Sequence, residues 1–228
     1  MNVMSTVSLD ALFLEHVGPS MAKHLALLRA IEGLPCHVDL RAGEVRFNSR
    51  FTFEAQLLGI EDQQARIWTW SWAVPKATVA PELTRSAMAL KTWGEEHGLD
   101  AFVVPSFKTE SLRGDEIAIL GCGLAQSDTF LVADTSLGSA YLLIPDVQGQ
   151  LPTRHSAAFL ATVIPKVFSI YSLQDHRTVV RSLLRYEGFE LEEQDPSAWK
   201  AHRGSSSVTV AFDAQSRVAQ FKAHDGQG

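Results

Sequence analysis

The chain has 228 residues, of which 46% are hydrophobic and 20% are charged, and it carries a formal net charge of −6 with a pI of about 5.7. These values are typical of a globular protein with one large domain or two small ones. They argue against nucleic-acid binding, because contact with a phosphate backbone needs clustered lysine and arginine residues, and the sequence has no basic run.

The first third of the chain is predicted to form a long helix followed by strands. Apolar residues recur every three or four positions over residues 8–32, and Pro19 is expected to kink or split this helix. The apolar period then changes to two, which predicts an antiparallel meander with strands at residues 36–41, 45–48, 51–60 and 65–73.

The last of these strands contains the segment IWTWSWA, residues 67–73, with three of the five tryptophans. A loop at residues 61–64 would place Leu57, Ala55 and Phe53 opposite Trp68, Trp70 and Trp72 on one side of the sheet. The favoured interpretation is that this side faces the core beneath the first helix. The alternative is an aromatic platform on which a ligand stacks.

The remaining elements alternate between helices and short strands. Between the tryptophan strand and residue 150, the patterns predict helices at 81–97 and 115–126, a short strand at 101–104, and a hairpin of 128–133 and 139–144. The glycines of Gly121-Cys122-Gly123 predict close packing of the second of these helices against a neighbour.

A boundary is predicted at Pro145–Pro152, where proline and glycine interrupt the apolar periodicity. Beyond it, helices are predicted at 155–172 and 176–187, and strands near 189–193, 198–203, 206–213 and 217–223. We therefore predict an α+β fold. An antiparallel meander packed against helices forms a domain over residues 1–150, and residues 151–228 form a smaller helix-plus-meander unit.

Between about residues 34 and 146 the chain resembles an uncharacterised bacterial family, a domain of unknown function. The resemblance is carried by the strands DLRAGEVRF (39–47), FTFEAQLLGIE (51–61) and IWTWSWA (67–73), and by KTWGEEHGL (91–99), AILGCGLAQ (118–126) and AYLLIP (140–145). The family often has Ala-Asn after its tryptophan motif, where this chain has Ala73-Val74. The resemblance implies no activity, cofactor or catalytic residue.

No motif in the sequence predicts a catalytic, cofactor or metal site. The chain has no GxSxG, no P-loop and no HExxH. Ser20-Met-Ala-Lys23 matches SxxK by letter, but the partner motifs of that enzyme class are missing. His16 and His24 fall on one helical face, which provides two ligands where a zinc site needs three or four.

Acidic residues are the remaining candidates, in three sets. They are Glu61 and Asp62 at the end of the tryptophan hairpin, Glu95, Glu96 and Asp100 near the end of the second helix, and Glu190, Glu192 and Glu193 near the C-terminal strands. Such groups usually form a solvated surface. The alternative is a docking patch for a basic protein partner, since complementary charge raises association rate and specificity.

The leading functional hypothesis is therefore a non-enzymatic protein-binding module. A specific form of it is an immunity-type protein that binds and neutralises a bacterial toxin. The alternative is a small-ligand-binding protein or enzyme with a pocket near Trp68, Trp70 and Trp72, or between the two units. A cytoplasmic location without a membrane partner is expected, because the N-terminus does not read as a signal peptide, no apolar run is long enough to span a bilayer, and Cys36 and Cys122 are the only cysteines.

Overall fold

The computed structural model describes residues 7–76 and 78–226, and it has the predicted α+β fold. The helices are α1 (Leu9–Ala30), α2 (Arg85–His97), α3 (Asp100–Val103), α4 (Gly114–Leu124), α5 (Ala157–Ile170) and α6 (His176–Tyr186). The strands are β1 (Cys36–Asp39), β2 (Glu44–Phe47), β3 (Phe51–Glu54), β4 (Gln56–Asp62), β5 (Ile67–Trp70), β6 (Ser106–Lys108), β7 (Thr129–Thr135), β8 (Gly138–Ile144), β9 (Glu190–Asp195), β10 (Ala198–Arg203), β11 (Ser206–Phe212) and β12 (Val218–His224). The prediction that the N-terminus is not a signal peptide falls partly on residues 1–6, which lie outside the described residues.

Helix α1 runs without a break through Pro19, so the prediction that this proline splits the helix is wrong. Its middle is buried against α4 and α6. Gly18 lies against Val179 and Leu183 of α6, and the Ser20 hydroxyl donates a hydrogen bond to the carbonyl of Ile119, 3.0 Å away in α4. Tertiary packing of this kind stabilises a helix more than its intrinsic propensity does, and it outweighs the bond that proline removes.

The strands form three antiparallel sheets, ordered β1-β2-β3, β6-β5-β4-β8-β7 and β12-β11-β10-β9. The single strand predicted at residues 51–60 is wrong, because β3 and β4 belong to different sheets. The chain changes sheets at Ala55, whose N–H donates to the carbonyl of Gly43 at 2.8 Å. The sequence alternates without a break from Phe51 to Leu57, so a period-two pattern does not reveal this change of partner.

The predicted register of the tryptophan hairpin is also wrong. Glu61 lies opposite Trp68 and Gly59 opposite Trp70. The turn comes later in the chain than expected, because the Asp62 carboxylate accepts hydrogen bonds from the N–H groups of Gln64 and Ala65, both at 2.9 Å. A β-carbon at position 59 would lie 2.3 Å from the Trp68 ring, so only glycine fits beneath that indole.

Two further local predictions fail around the tryptophans. Trp72 lies in a 3-10 turn, Ser71–Ala73, and not in the predicted strand. The strand predicted at residues 101–104 is helix α3, and the nearby strand is β6. The reason is that Phe102 must turn inward to pack against Trp70, with ring centroids 5.8 Å apart, which a helical turn achieves.

The predicted close packing of Gly121 and Gly123 in α4 is confirmed. A β-carbon at Gly121 would lie 2.8 Å from Leu58, and one at Gly123 would lie 2.3 Å from the His16 ring. Absence of a side chain at both positions lets α4 approach the central sheet on one side and α1 on the other.

The C-terminal elements pack onto α1. This helix contacts both α5 and α6, and one hydrophobic cluster includes Val17 of α1, Leu183 of α6 and Trp199 of β10. The division of the chain near residue 150 stays a prediction. Among the described helices, none has an apolar stretch of the length that a membrane span requires.

Candidate functional site

Two of the three predicted tryptophans are in the core. Trp68 and Trp70 have 0% and 1% of their surface exposed, so neither offers a face on which a ligand could stack. The Trp70 indole N–H donates to the carbonyl of Ala101 at 3.0 Å. Trp72 is half-buried, and the Lys91 ammonium lies 4.9 Å from its ring centroid. None of five well-formed cavities in the described residues is lined by a tryptophan.

Glu61 is buried, so its predicted place on a solvated surface is wrong. The corrected register turns its side chain to the same side of the sheet as Trp68. Its carboxylate accepts hydrogen bonds from the Tyr141 hydroxyl at 2.7 Å and the Thr109 hydroxyl at 2.8 Å. Burial, and then the Glu61 carboxylate, raise the pKa of Tyr141, which keeps this phenol protonated as a donor. Gly114, the first residue of α4, borders this network, because a β-carbon there would lie 2.5 Å from both the Glu61 carboxylate and the Tyr141 hydroxyl.

The other acidic candidates lie on separate elements. Asp62 is the last residue of β4, Glu95 and Glu96 are in α2, and Asp100 begins α3, all with exposed side chains. Lys91 pairs with Glu95 at 3.5 Å on the surface of α2. This set does not converge on a cavity.

The third acidic set lies on β9, one of the two outer strands of its sheet. Glu190 and Glu192 are exposed, and both face His202 of β10, at 3.1 and 3.8 Å. Glu193 instead accepts two hydrogen bonds from the Arg181 guanidinium, at 2.8 and 2.6 Å, and that contact lowers the pKa of Glu193. One of the three thus fixes β9 to α6, and two remain on the surface.

A groove of about 660 Å³ that the sequence did not indicate lies between β1 and β7. We call it the edge groove. Its walls include Cys36, His37 and Val38 of β1 and residues 131–135 of β7, with Leu34, Leu40 and Phe47 between them. Both strands are the outer strands of their sheets, so each has one side without a strand partner. Unpaired strand sides of this kind can accept a further strand.

A second cavity, of about 740 Å³, lies between α1, the end of α4 and α6. Its lining mixes charges of both signs, among them Glu15, Lys23, Asp128 and Arg185. The Lys23 ammonium donates to the carbonyl of Ser127 at 2.8 Å, so it is occupied within the fold. In the described residues no group of three or more His, Cys, Asp or Glu side chains is placed to hold a metal ion.

Residues 10–147 match the family of unknown function DUF6882, and the chain belongs to this family. The match begins within α1 and ends just after β8, so it includes the five-stranded sheet and both walls of the edge groove. Comparison with curated proteins and with solved structures gave no match.

The sequence patterns predicted the strands that border the edge groove, but they did not predict the groove itself. The edge groove depends on which strands end up outermost, and Val38 and Val132 are 94 positions apart in the chain. Only the structure shows that Val132 of β7 is 37% exposed and lines this groove.

Proposed function

We propose that this protein is a non-enzymatic binding module that receives an extended segment of a protein partner in the edge groove. The observation that carries the proposal is the meeting of two outer strands, β1 and β7, in one groove whose lining combines apolar side chains with polar surface. Elsewhere in proteins, an exposed strand edge binds an extended peptide through main-chain hydrogen bonds, and adjacent pockets select alternate side chains.

The groove suggests the chemistry of its partner. The buried side chains of Phe47 and Leu131 form its floor, and Val38 and Val132 form its walls, so the bound segment should carry apolar side chains at alternate positions. The net charge of −6 favours a partner that is basic outside this segment, because long-range attraction raises the rate of encounter. A cytoplasmic toxin blocked by an immunity-type protein is one partner of this kind.

The test compares two charged substitutions on the same strand and hairpin. Val132→Lys places a charge on the wall of the edge groove, whereas Leu137→Lys places the same charge at an exposed apolar position of the hairpin loop that does not line it. Each tagged variant and the wild-type protein are used to capture partners from the native host, and the dissociation constant of the captured protein is measured.

We expect the partner to bind the wild-type and Leu137→Lys proteins alike, and Val132→Lys at least about tenfold more weakly, because a lysine on an edge strand opposes strand pairing. Equal binding by all three proteins would place the interaction elsewhere. If the acidic residues were the interface, Glu190→Gln with Glu192→Gln would weaken binding and Val132→Lys would not.

A second proposal is small-ligand binding beside the tryptophan segment. It is favoured by three buried polar atoms without a hydrogen-bond partner in the described residues, which are Trp68 Nε1, Ser71 Oγ and Trp72 Nε1. Buried polar groups normally have partners, and a small polar ligand bound beside these atoms would supply them. A screen of polar metabolites by tryptophan fluorescence tests it, and a quench that persists in Trp72→Phe and Ser71→Ala would exclude this location.

A further inference from the structure

A third cavity, of about 500 Å³, lies between the last turns of α1 and the first turn of α5. We call it the arginine cavity. Ala26, Ala30, Leu151 and Phe159 give it apolar walls, and Arg29 and Arg154 lie on its rim. No acidic side chain is among its lining residues in the described part of the chain. This composition sets it apart from the cavity between α1 and α6, where acidic and basic side chains alternate.

Neither of the two arginines is paired with a carboxylate in the described residues. In the described residues neither Arg29 nor Arg154 forms an ion pair. Arg29 is exposed in the last turn of α1, and the Arg154 guanidinium lies 4.5 Å from the centroid of the Tyr186 ring. In a protein of net charge −6, two such cations beside one apolar cavity are a local reversal of the overall charge.

His155, in the wall of this cavity, has an unsatisfied ring nitrogen. Its side chain is 4% exposed, and Nδ1 lies 2.6 Å from the carboxylate of Glu187, which is itself fully buried. Nε2 is also buried and has no hydrogen-bond partner. The other contacts of the pair are all made: the Glu187 carboxylate accepts the backbone N–H of His155 at 2.7 Å, and Arg203 donates to the carbonyls of both residues.

Such an arrangement is unusual for a purely structural pair. An unpartnered buried nitrogen costs free energy, and each case in a native protein calls for an explanation. The Phe159 ring stacks on the imidazole with centroids 5.0 Å apart, so His155 lies between a fixed carboxylate on one side and the apolar wall of the cavity on the other.

We infer that the arginine cavity binds a small organic anion with an apolar body, such as a medium-chain carboxylate. Arg29 and Arg154 hold the anionic head, because guanidinium groups donate paired hydrogen bonds to carboxylates. Leu151 and Phe159 bury the apolar body. His155 Nε2 gains the partner that it lacks, since a carboxyl group can accept from a protonated nitrogen or donate to a neutral one.

The anion is held by side chains and not by the start of α5. The N–H groups of Ala157 and Ala158 already donate to the Asp225 carboxylate, at 2.7 and 3.0 Å, so the end of this helix is occupied. The inference concerns a site separate from the edge groove, and either can fail without the other.

The test uses octanoate as the probe and isothermal titration calorimetry as the measurement. Arg29→Gln and Arg154→Gln remove one cation each from the cavity rim, and Arg50→Gln is the matched control, because Arg50 is exposed and does not line the cavity. Octanol, which has the same apolar chain without the charge, and acetate, which has the charge without the chain, complete the set.

We expect octanoate to bind the wild-type and Arg50→Gln proteins with equal affinity, and each cavity variant about three- to tenfold more weakly. Octanol and acetate should each bind more weakly than octanoate. In a long-range proton–nitrogen spectrum of the histidine rings, the His155 Nε2 signal should shift on titration, and His155→Gln should remove that shift while keeping the fold by circular dichroism.

Three results would overturn the inference. They are no heat of binding with octanoate, equal affinity of the wild-type and both cavity variants, or equal affinity for octanoate and octanol. Retention on vesicles that contain an anionic phospholipid, without binding of free octanoate, would also contradict it, because that would assign the arginines to a membrane surface and not to a cavity ligand.

Discussion

The two outer strands β7 and β9 carry different kinds of side chain at their unpaired edges. Strand β9 carries Glu190 and Glu192, whose exposed carboxylates repel another strand or another copy of the chain. Strand β7 carries the exposed Val132 together with one exposed carboxylate, Asp134, and both line the edge groove. Charged side chains are a common protection for edge strands. The charges on β9 therefore protect its edge against pairing with another strand. The edge of β7, with Val132 at the groove, is less protected, in agreement with the proposal that it pairs with a partner segment.

The difference changes how the acidic residues are understood. Three sets of carboxylates appeared alike in the sequence, yet Glu61 is buried in a hydrogen-bond network, Glu193 fixes β9 to α6, and Glu190 remains on the surface. A charge count cannot separate these roles, because each depends on which residue a neighbouring strand or helix places beside the carboxylate.

The largest predicted effect is a difference in unfolding free energy between a substitution in the floor of the edge groove and one on the charged strand β9. Phe47→Ala should lower the free energy of unfolding by about 3–5 kcal/mol, because Phe47 is 1% exposed and its removal leaves a void beneath the groove. Glu192→Ala on β9 should change it by no more than about 0.5 kcal/mol, as is usual for an exposed position. Urea unfolding measures both, and equal effects would remove the contrast between the two edges.

A second variant separates the buried carboxylate from the exposed ones. Tyr141→Phe removes the hydroxyl that donates to Glu61, and it should cost about 1–3 kcal/mol, because a buried acceptor is then left undersatisfied. Tyr186→Phe is the matched control, since the Tyr186 hydroxyl has no hydrogen-bond partner in the described residues. If the two variants unfold at the same urea concentration, the Glu61 network contributes nothing measurable to stability.

The smallest effect is a difference in pH dependence between two helix–strand contacts, that of His24 in α1 with β7 and that of Arg181 in α6 with β9. The His24 ring stacks on Phe130 of β7, with Nδ1 2.9 Å from the Phe130 carbonyl, and burial lowers the pKa of His24. The unfolded chain therefore takes up a proton first as the pH falls through about 6.5, and the stability that neutral His24 provides is lost below that value. His24→Gln should reduce the fall in unfolding free energy between about pH 6.5 and 5.

The contact that holds β9 responds at lower pH. Arg181 lowers the pKa of Glu193, so the stability from this pair is present above the ordinary glutamate pKa of about 4.5 and is lost as the pH falls through the lowered value. Glu193→Gln should leave the range between pH 6.5 and 5 unchanged and flatten the profile below about 4.5. The account would be contradicted if His24→Gln changed the profile only below about pH 4.5 and Glu193→Gln changed it only between about pH 6.5 and 5.

Periodicity in the sequence predicted the type of most elements, because helix and strand patterns are local. The long apolar helix, the paired glycines of α4 and the C-terminal strands were all predicted from their own residues. The hairpin register failed because Asp62 forms the turn with its own side chain, and the strand at 51–60 failed because Ala55 connects two sheets. Both features depend on hydrogen bonds that apolar spacing does not encode.

Candidate sites were harder to predict than elements. Trp68 and Trp70 were correctly favoured as core residues from their strand, yet the edge groove needs β1 and β7, and the arginine cavity needs α1 and α5, brought together by the whole fold. His155 and Glu187 lie 32 positions apart, with no motif to connect them. Surfaces assembled from distant segments leave no mark in a single sequence.

The alkylation rate of Cys36 tests the central proposal most directly. Cys36 is a free, exposed cysteine that lines the edge groove, whereas Cys122 is fully buried, so N-ethylmaleimide under native conditions reports on the groove. The partner used is a protein that wild-type and Leu137→Lys retain and Val132→Lys loses. If it occupies the groove, it slows alkylation of Cys36 by at least about tenfold, and prior alkylation abolishes its binding. An unchanged alkylation rate in the saturated complex would contradict the proposal that this groove is the binding site.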